Sequence, residues 1–222
     1  MDNIDNTDNT KKFKKVKLSI RDICLIGVFA AFISVCAQIS IPTPVGVPFT
    51  LQTLVIPLTG IILGAKKGTL SAFVYVLLGA AGIPVFTGFT GGIGVIFGKT
   101  GGYILSFPIM AMCAGISSDL MNLIDLFSFS KANKTNKTDK IKNKNIWIKS
   151  TVIAAGLVLG AAINYICGMM MGKFILACSF SDAFMLFVLP YIPTAVIKII
   201  LSGVLGAGVK KLLRKSGIVK VK

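Results

Sequence analysis

The stretch Gly82-Ile-Pro-Val-Phe-Thr-Gly-Phe-Thr-Gly-Gly-Ile-Gly-Val-Ile-Phe-Gly-Lys-Thr-Gly-Gly-Tyr103 holds eight glycines in twenty-two residues and lies between two long apolar runs. Its reading decides whether the chain is a plain stack of membrane helices or a helical scaffold that carries a site. Glycine at this density lets backbone amides and carbonyls approach a ligand closely, at a cost in conformational entropy that a connector need not bear. Phe86, Phe89, Phe97 and Tyr103 are interleaved with the glycines and supply walls for a small, partly apolar molecule. The alternative is a glycine-rich re-entrant turn without a ligand, and composition leaves both open.

On either side of this stretch the chain is strongly apolar. Of its 222 residues 54% are hydrophobic and 14% are charged, against about 25% charged in an average soluble protein. Apolar runs of roughly 18 residues can cross a ~30 Å hydrocarbon core as helices. Five such runs and a shorter one predict an all-α integral membrane protein with six transmembrane helices. The expected spans are Ile23–Ile41, a short one from Phe49 to about Gly64, Thr69–Ala81, Gly101–Ile124, Thr151–Ala177, and a sixth within Phe184–Val209. Prolines 42, 44 and 48 break the first, Ala65-Lys-Lys-Gly68 reads as a tight charged turn, and Pro190 and Pro193 lie early in the sixth. Residues 1–21 form a basic arm, 22–212 the membrane domain with a polar loop at 128–149, and 213–222 a tail. Trp147 marks the return of that loop to the membrane interface.

The net charge of +16 would suggest a nucleic-acid partner if it covered one face of a soluble domain. Instead, 21 of the 24 basic residues fall in the N-terminal arm, at Lys66 and Lys67, in the 128–149 loop, or from Lys210 onward. With six crossings these segments share one side. The positive-inside rule makes that side, with both termini, cytoplasmic, and the glycine-rich stretch then opens outward. No nucleic acid is expected, and the setting is the plasma membrane of a bacterium, crossed several times. Lysine at 11, 12, 14, 15 and 17 followed by an apolar run resembles a signal peptide, but no small-residue cleavage site ends the run.

The chain contains no histidine and no glutamate. It thereby lacks the commonest general base and metal ligand, and an intramembrane hydrolase or transferase would have no acidic pair at membrane depth. A pore-forming channel is a further alternative. Neither a catalytic residue, a metal site nor a cofactor is expected. The five cysteines, at 24, 36, 113, 167 and 178, form no Cys-x-x-Cys and read as small buried apolar residues.

Lys198 is the most informative single residue. Twelve residues before Lys210, or roughly 18 Å along a helix, it lies inside the bilayer. There a lysine costs about 2.5–3.5 kcal/mol unless paired or hydrated. No aspartate stands at matching depth, so the missing anion arrives with a ligand, or else the lysine snorkels to an interface. Thr194, Lys198 and Ser202 share a four-residue spacing and form a polar stripe. A second stripe, Gly156, Gly160, Asn164, Gly168 and Gly172, marks a face for close helix packing. Its amide is either interhelical glue or a ligand contact. Gly27 and Ala31 form a similar small-residue face on the first span. Gly98-Lys99-Thr100 is not a nucleotide-binding P-loop, because Ile93 occupies the position of the required glycine. Lys99 is then an interfacial charge or a second cation at the mouth of the site. Asn133-Lys-Thr and Asn136-Lys-Thr match glycosylation acceptors by chance, in a cytoplasmic linker.

Pro48-Phe-Thr-Leu-Gln-Thr-Leu54, Gly82-Ile-Pro-Val-Phe86, Gly98-Lys-Thr-Gly-Gly-Tyr103 with Ser106-Phe107, and Ile192-Pro193 leading to Lys198 together resemble the BioY family. That family comprises the biotin-binding S-components of energy-coupling factor (ECF) vitamin transporters. The likeness spans about residues 20–212. It implies six helices, one biotin bound toward the outside by the outer loops and helices four to six, and high-affinity capture for an ATP-driven importer. It also implies association with a transmembrane coupling subunit, through Gly27 and Ala31, and with two cytoplasmic ATPases. The family pattern carries Asp at the position of Ala195 and Gly at that of Thr194, so Thr194 or Asn164 stands in for the missing polar contact. Many relatives have proline at the position of Lys99. The candidate ligand-binding set is Lys198, Thr194, Asn164, Tyr165, Phe86, Phe89, Gly91, Gly92, Lys99, Tyr103, Thr50 and Gln52. A binding subunit for another carboxylate-bearing vitamin is the nearest alternative.

Overall fold

The computed structural model describes the backbone of residues 18–44, 46–132 and 138–218, and the side chains within them except 124–132, 138–147 and 149. Most of the basic arm, the end of the tail, both glycosylation-like triplets and the Trp147 ring lie outside the described residues.

The fold is mostly helical, and its first helix ends earlier than its hydropathy suggests. Helix α1 runs Ile20–Ala37. Beyond it Ser40–Ile41 (β1) pairs antiparallel with Phe49–Thr50 (β2). The expected extension to Ile41 fails because a residue before proline is pushed out of the helical region, and Pro42 follows directly. Helix α2, Gln52–Leu63, then turns straight into α3, Ala65–Ala80. Gly64, at φ +81°, makes the whole reversal. The charged turn expected at 65–68 is therefore the first turn of α3. The Asp119 carboxylate accepts the Ala65 N–H at 2.9 Å and so satisfies a donor that a helix start leaves free.

A one-turn helix within the glycine-rich stretch, Ile93–Ile96 (α4), leads to α5, Gly101–Ala132, which packs against α2, α3 and α6. Helix α6 begins at Thr138 and runs to Leu176. The loop expected over 128–149 is thus helical at both ends, with only 133–137 undescribed. No proline or glycine occurs from 124 to 149, and a helix already nucleated in a span propagates cheaply through Lys, Asn and Asp. The α6 stripe does face α5. A Cβ on Gly156 would meet Ser117, one on Gly160 would approach Met110 and Cys113, and one on Gly168 would enter the Tyr103 ring.

The sixth expected span is broken. Helix α7, Phe180–Phe187, is followed by a 3-10 turn at Leu189–Tyr191 and by α8, Ile192–Lys215. Pro190 and Pro193 remove amide donors there. Tyr103 Oη donates at 2.6 Å to the Phe187 carbonyl, which the break leaves free.

Among the described residues, four helical segments are long and apolar enough to cross a membrane: Ile20–Ala37, Gly101–Leu123, Ser150–Leu176 and Phe180–Lys215. At twelve residues α2 is shorter than the 17–25 of an ordinary span. The Arg21 guanidinium donates to the Gly217 carbonyl, so the two described ends of the chain meet at one end of the bundle. Lys67 pairs with Asp22 there at 2.9 Å. All five cysteines are free, and Cys24 is exposed on α1 rather than buried.

Candidate ligand-binding site

A cavity of about 300 Å³ lies at the opposite end of the bundle. Its walls come from five places in the chain: Gly46–Thr53 apart from Leu51, the glycine-rich stretch through Phe86, Thr87, Thr90, Val95 and Thr100, the start of α5 through Tyr103, Ile104 and Phe107, Tyr165 on α6, and Tyr191 with Lys198 at the start of α8. The volume suits a small organic molecule.

Lys198 points into this cavity. Its ammonium donates to the Thr50 carbonyl at 2.7 Å and to Thr53 Oγ1 at 3.0 Å. Both acceptors are neutral, and among the described residues the only ion pair is Lys67–Asp22. The snorkelling alternative is thereby excluded: the stem runs inward, toward β2 and α2. One turn later Ser202 Oγ reaches the Leu54 carbonyl at 2.9 Å and fixes α8 against α2 at this level.

The remaining walls are aromatic and hydroxylic. Phe49 and Tyr191 meet at 4.6 Å between ring centroids with their planes tilted by 40°, and Tyr165 lies 6.4 Å from Tyr191 and 6.2 Å from Tyr103. Tyr191 Oη donates to the Val47 carbonyl, tying the segment between β1 and β2 to the helix break. Phe86, at 1% exposure, packs edge-on to Tyr75. It fits because position 79 is glycine, where a Cβ would collide with the ring. Gln52 donates to Tyr75 Oη at 2.6 Å and accepts from Thr87 Oγ1 at 3.2 Å.

Of the twelve candidates named from sequence, the structure brings Lys198, Thr50, Gln52, Phe86, Tyr103 and Tyr165 to the cavity wall. The other six stand elsewhere. Thr194 donates to the Tyr191 carbonyl within its own turn. Phe89 is 73% exposed. Gly91 and Gly92 shape the loop: a Cβ on Gly91 would strike the Ile83 carbonyl, and Gly92 has φ +97°. Lys99 is exposed, with its stem against Gly46 at the rim. Asn164 is 1% exposed and donates to the Tyr103 carbonyl at 3.0 Å and to Ser106 Oγ at 2.8 Å. It joins α6 to α5 and is not part of the wall.

Sequence reading missed Tyr191, Thr53, Thr87 and Thr90 as wall residues. A tyrosine between two prolines was a readable signal for Tyr191, and hydroxyls beside the glycines for Thr87 and Thr90. Asn164→Ala is expected to lower the thermal stability of the unliganded protein by about 1 kcal/mol, as for other interhelical polar contacts in membranes. Unchanged thermal unfolding would show that the two donations add nothing.

A sequence profile of the BioY family matches residues 9–215. The chain belongs to the BioY family. Over 97 residues, 43% of this chain, it is 50% identical to a Pyrococcus horikoshii protein named as a probable biotin transporter BioY, of which 59% is covered. Over 99 residues, 45% of this chain, it is 46% identical to a Thermotoga maritima protein named biotin transporter BioY, of which 58% is covered. In both cases the alignment spans less than two thirds of the relative. A crystal structure of the S-component for biotin from an ECF-type ABC transporter superposes with a TM-score of 0.65 over 86% of this chain and 92% of its own, at 22% identity. That likeness establishes that the two chains share a fold.

Proposed function

We propose that this BioY-family chain is the substrate-binding membrane subunit for biotin uptake, without enzymatic activity of its own. The observation that carries the reading is the Lys198 ammonium, held by neutral oxygens alone and facing an aromatic cavity. Biotin matches each part of that cavity. Its carboxylate neutralises Lys198, its apolar bicycle and chain suit Phe86, Phe107 and Tyr165, and its ureido group meets the hydroxyls and the Gln52 amide. A carboxylate brought to a buried, incompletely compensated cation forms a charge-assisted bond of the stronger class.

The same reading places the chain in a bacterial plasma membrane as six helices, α2 and α3 being the short pair, with both termini cytoplasmic. Arg21 against Gly217 supports a shared side for the two ends. Energy then comes from an ECF coupling subunit and two cytoplasmic ATPases, and α1 is the docking helix. Gly27 and Ala31 are both exposed on it, and a Cβ on Gly27 would meet nothing within 4 Å.

Isothermal titration of the detergent-purified chain with biotin is expected to give one site per chain. Heats from another carboxylate-bearing vitamin in place of biotin would move the substrate and keep the mechanism. Absence of binding by either would end the proposal.

A further inference from the structure

The wall segment around Phe86 and Thr87 is gripped from outside the cavity by one side chain, Gln38, in the turn that closes α1. Its Nε2 lies 3.3 Å from the Val85 carbonyl, 3.1 Å from the Phe86 carbonyl and 3.1 Å from Ser34 O of its own helix. Its Oε1 accepts the Phe89 N–H at 2.9 Å. One amide thus reaches three backbone groups of a loop 47 to 51 residues away, its two N–H donors shared among three carbonyls and its oxygen taking the Phe89 N–H.

The loop has reason to need that grip. Phe89 has φ +55°, a left-handed conformation that costs energy for a residue with a bulky side chain. Its ring is 73% exposed, so packing does not hold it there. The loop's own bonds, Phe86 N–H to the Thr90 carbonyl at 2.9 Å and Thr90 Oγ1 to the Thr87 carbonyl at 3.0 Å, close the turn on itself without fixing it to the bundle. Beside the packing of Phe86 on Tyr75, its side-chain hydrogen bonds to other elements are with Gln52, which is in the wall, and with Gln38, which is not. Without Gln38 the carbonyls of Val85 and Phe86 and the amide of Phe89 lose their partner together, and backbone groups left so exchange it for water.

We infer that Gln38 is a positioning residue of the cavity: from the end of α1 it holds the 85–89 backbone so that Phe86 and Thr87 stand as wall, and it thereby sets how long a ligand is retained. The retention half of this inference rests on the biotin reading above; the grip on the loop does not.

The test uses Gln38→Ala and Gln38→Met in the full chain, Met keeping the length and apolar contacts of the side chain while removing its hydrogen bonds. In the unliganded protein, amide hydrogen exchange at Phe86–Phe89 is expected to rise about tenfold in both variants, with exchange in the middle of α5 and α6 unchanged. Biotin dissociation is expected to accelerate by about tenfold, with association within about threefold, as for most changes at a binding site. Parent-like exchange in Gln38→Met would overturn the grip. Raised exchange with unchanged dissociation would overturn the link to retention. If the parent chain binds no biotin, the exchange measurement still decides whether Gln38 holds the loop, and the substrate proposal alone fails.

Discussion

Lys198→Met is expected to weaken biotin binding by at least about thirtyfold while changing the affinity for an uncharged biotin amide by less than about tenfold. Two large effects act on the acid and one small effect on the amide. The parent ammonium already donates to Thr50 O and Thr53 Oγ1, so a third donor remains for the ligand. With methionine there, a carboxylate entering the cavity loses its counter-charge and stays buried. Truncating one partner of such a pair costs about 2–5 kcal/mol, and each 1.4 kcal/mol is a factor of ten. A neutral amide oxygen loses an ordinary hydrogen bond, worth about 0.5–1.5 kcal/mol.

Unliganded stability moves differently. The parent carries the desolvation cost of a charge with no acid beside it, and methionine removes that cost. Thermal unfolding of the empty variant is therefore expected within about 1 kcal/mol of the parent, since the Thr50 carbonyl that loses its donor faces a cavity water can reach. Parallel titrations with acid and amide decide the matter: equal losses for the two would show that Lys198 does not read the carboxylate.

The second large effect is structural and lies at the other end of the bundle. Gly60→Val is expected to cost at least about 3 kcal/mol or to prevent a monodisperse preparation, at the severe end of overpacking. Three glycines on three helices meet there. A Cβ on Gly60 would strike the Ala111 carbonyl and the Gly115 amide, one on Gly68 would press on the Gly60 Cα, and one on Gly115 would press on the Ala65 Cα. These are backbone atoms, so no rotamer change relieves the clash and α2, α3 and α5 must separate. In lipid, close packing supplies much of the helix association that apolar burial supplies in water. Gly208→Val is the matched control, since a Cβ there would meet nothing within 4 Å, and its cost should be the few tenths expected of an exposed position. Equal unfolding temperatures for the two variants would contradict the α2–α5 approach.

The regularities readable in sequence were those with a period. The four-residue stripe on α6 announced a packing face, and it packs on α5. The four-residue stripe on α8 put Lys198 and Ser202 on one face, and both reach toward β2 and α2. Boundaries were less legible. Hydropathy carried α1 four residues too far and ended α5 eight residues too early, because it measures affinity for lipid rather than helical geometry. Glycine was the least legible residue. Gly91 and Gly92 looked like ligand contacts and stand in the turn outside the cavity wall, whereas Gly60, Gly68, Gly79 and Gly115 drew no notice and sit where a Cβ would strike a neighbouring helix or the Phe86 ring. A missing side chain leaves no trace in one sequence of what fills the space.

By itself the sequence determined the membrane class, the helical architecture, the family, a lysine at membrane depth without an aspartate at its level, and the α6 face on which α5 packs. Composition, periodicity and the order of motifs settle these, because lipid forces backbone groups to pair within each span. Only the tertiary structure decided which polar side chains border the cavity. Asn164 spends its donors on α5, Thr194 on its own turn, and Gln38 on a loop 47 residues away. A hydrogen-bonding group is satisfied by whichever partner the fold brings within about 3 Å, and that distance is not written along the chain.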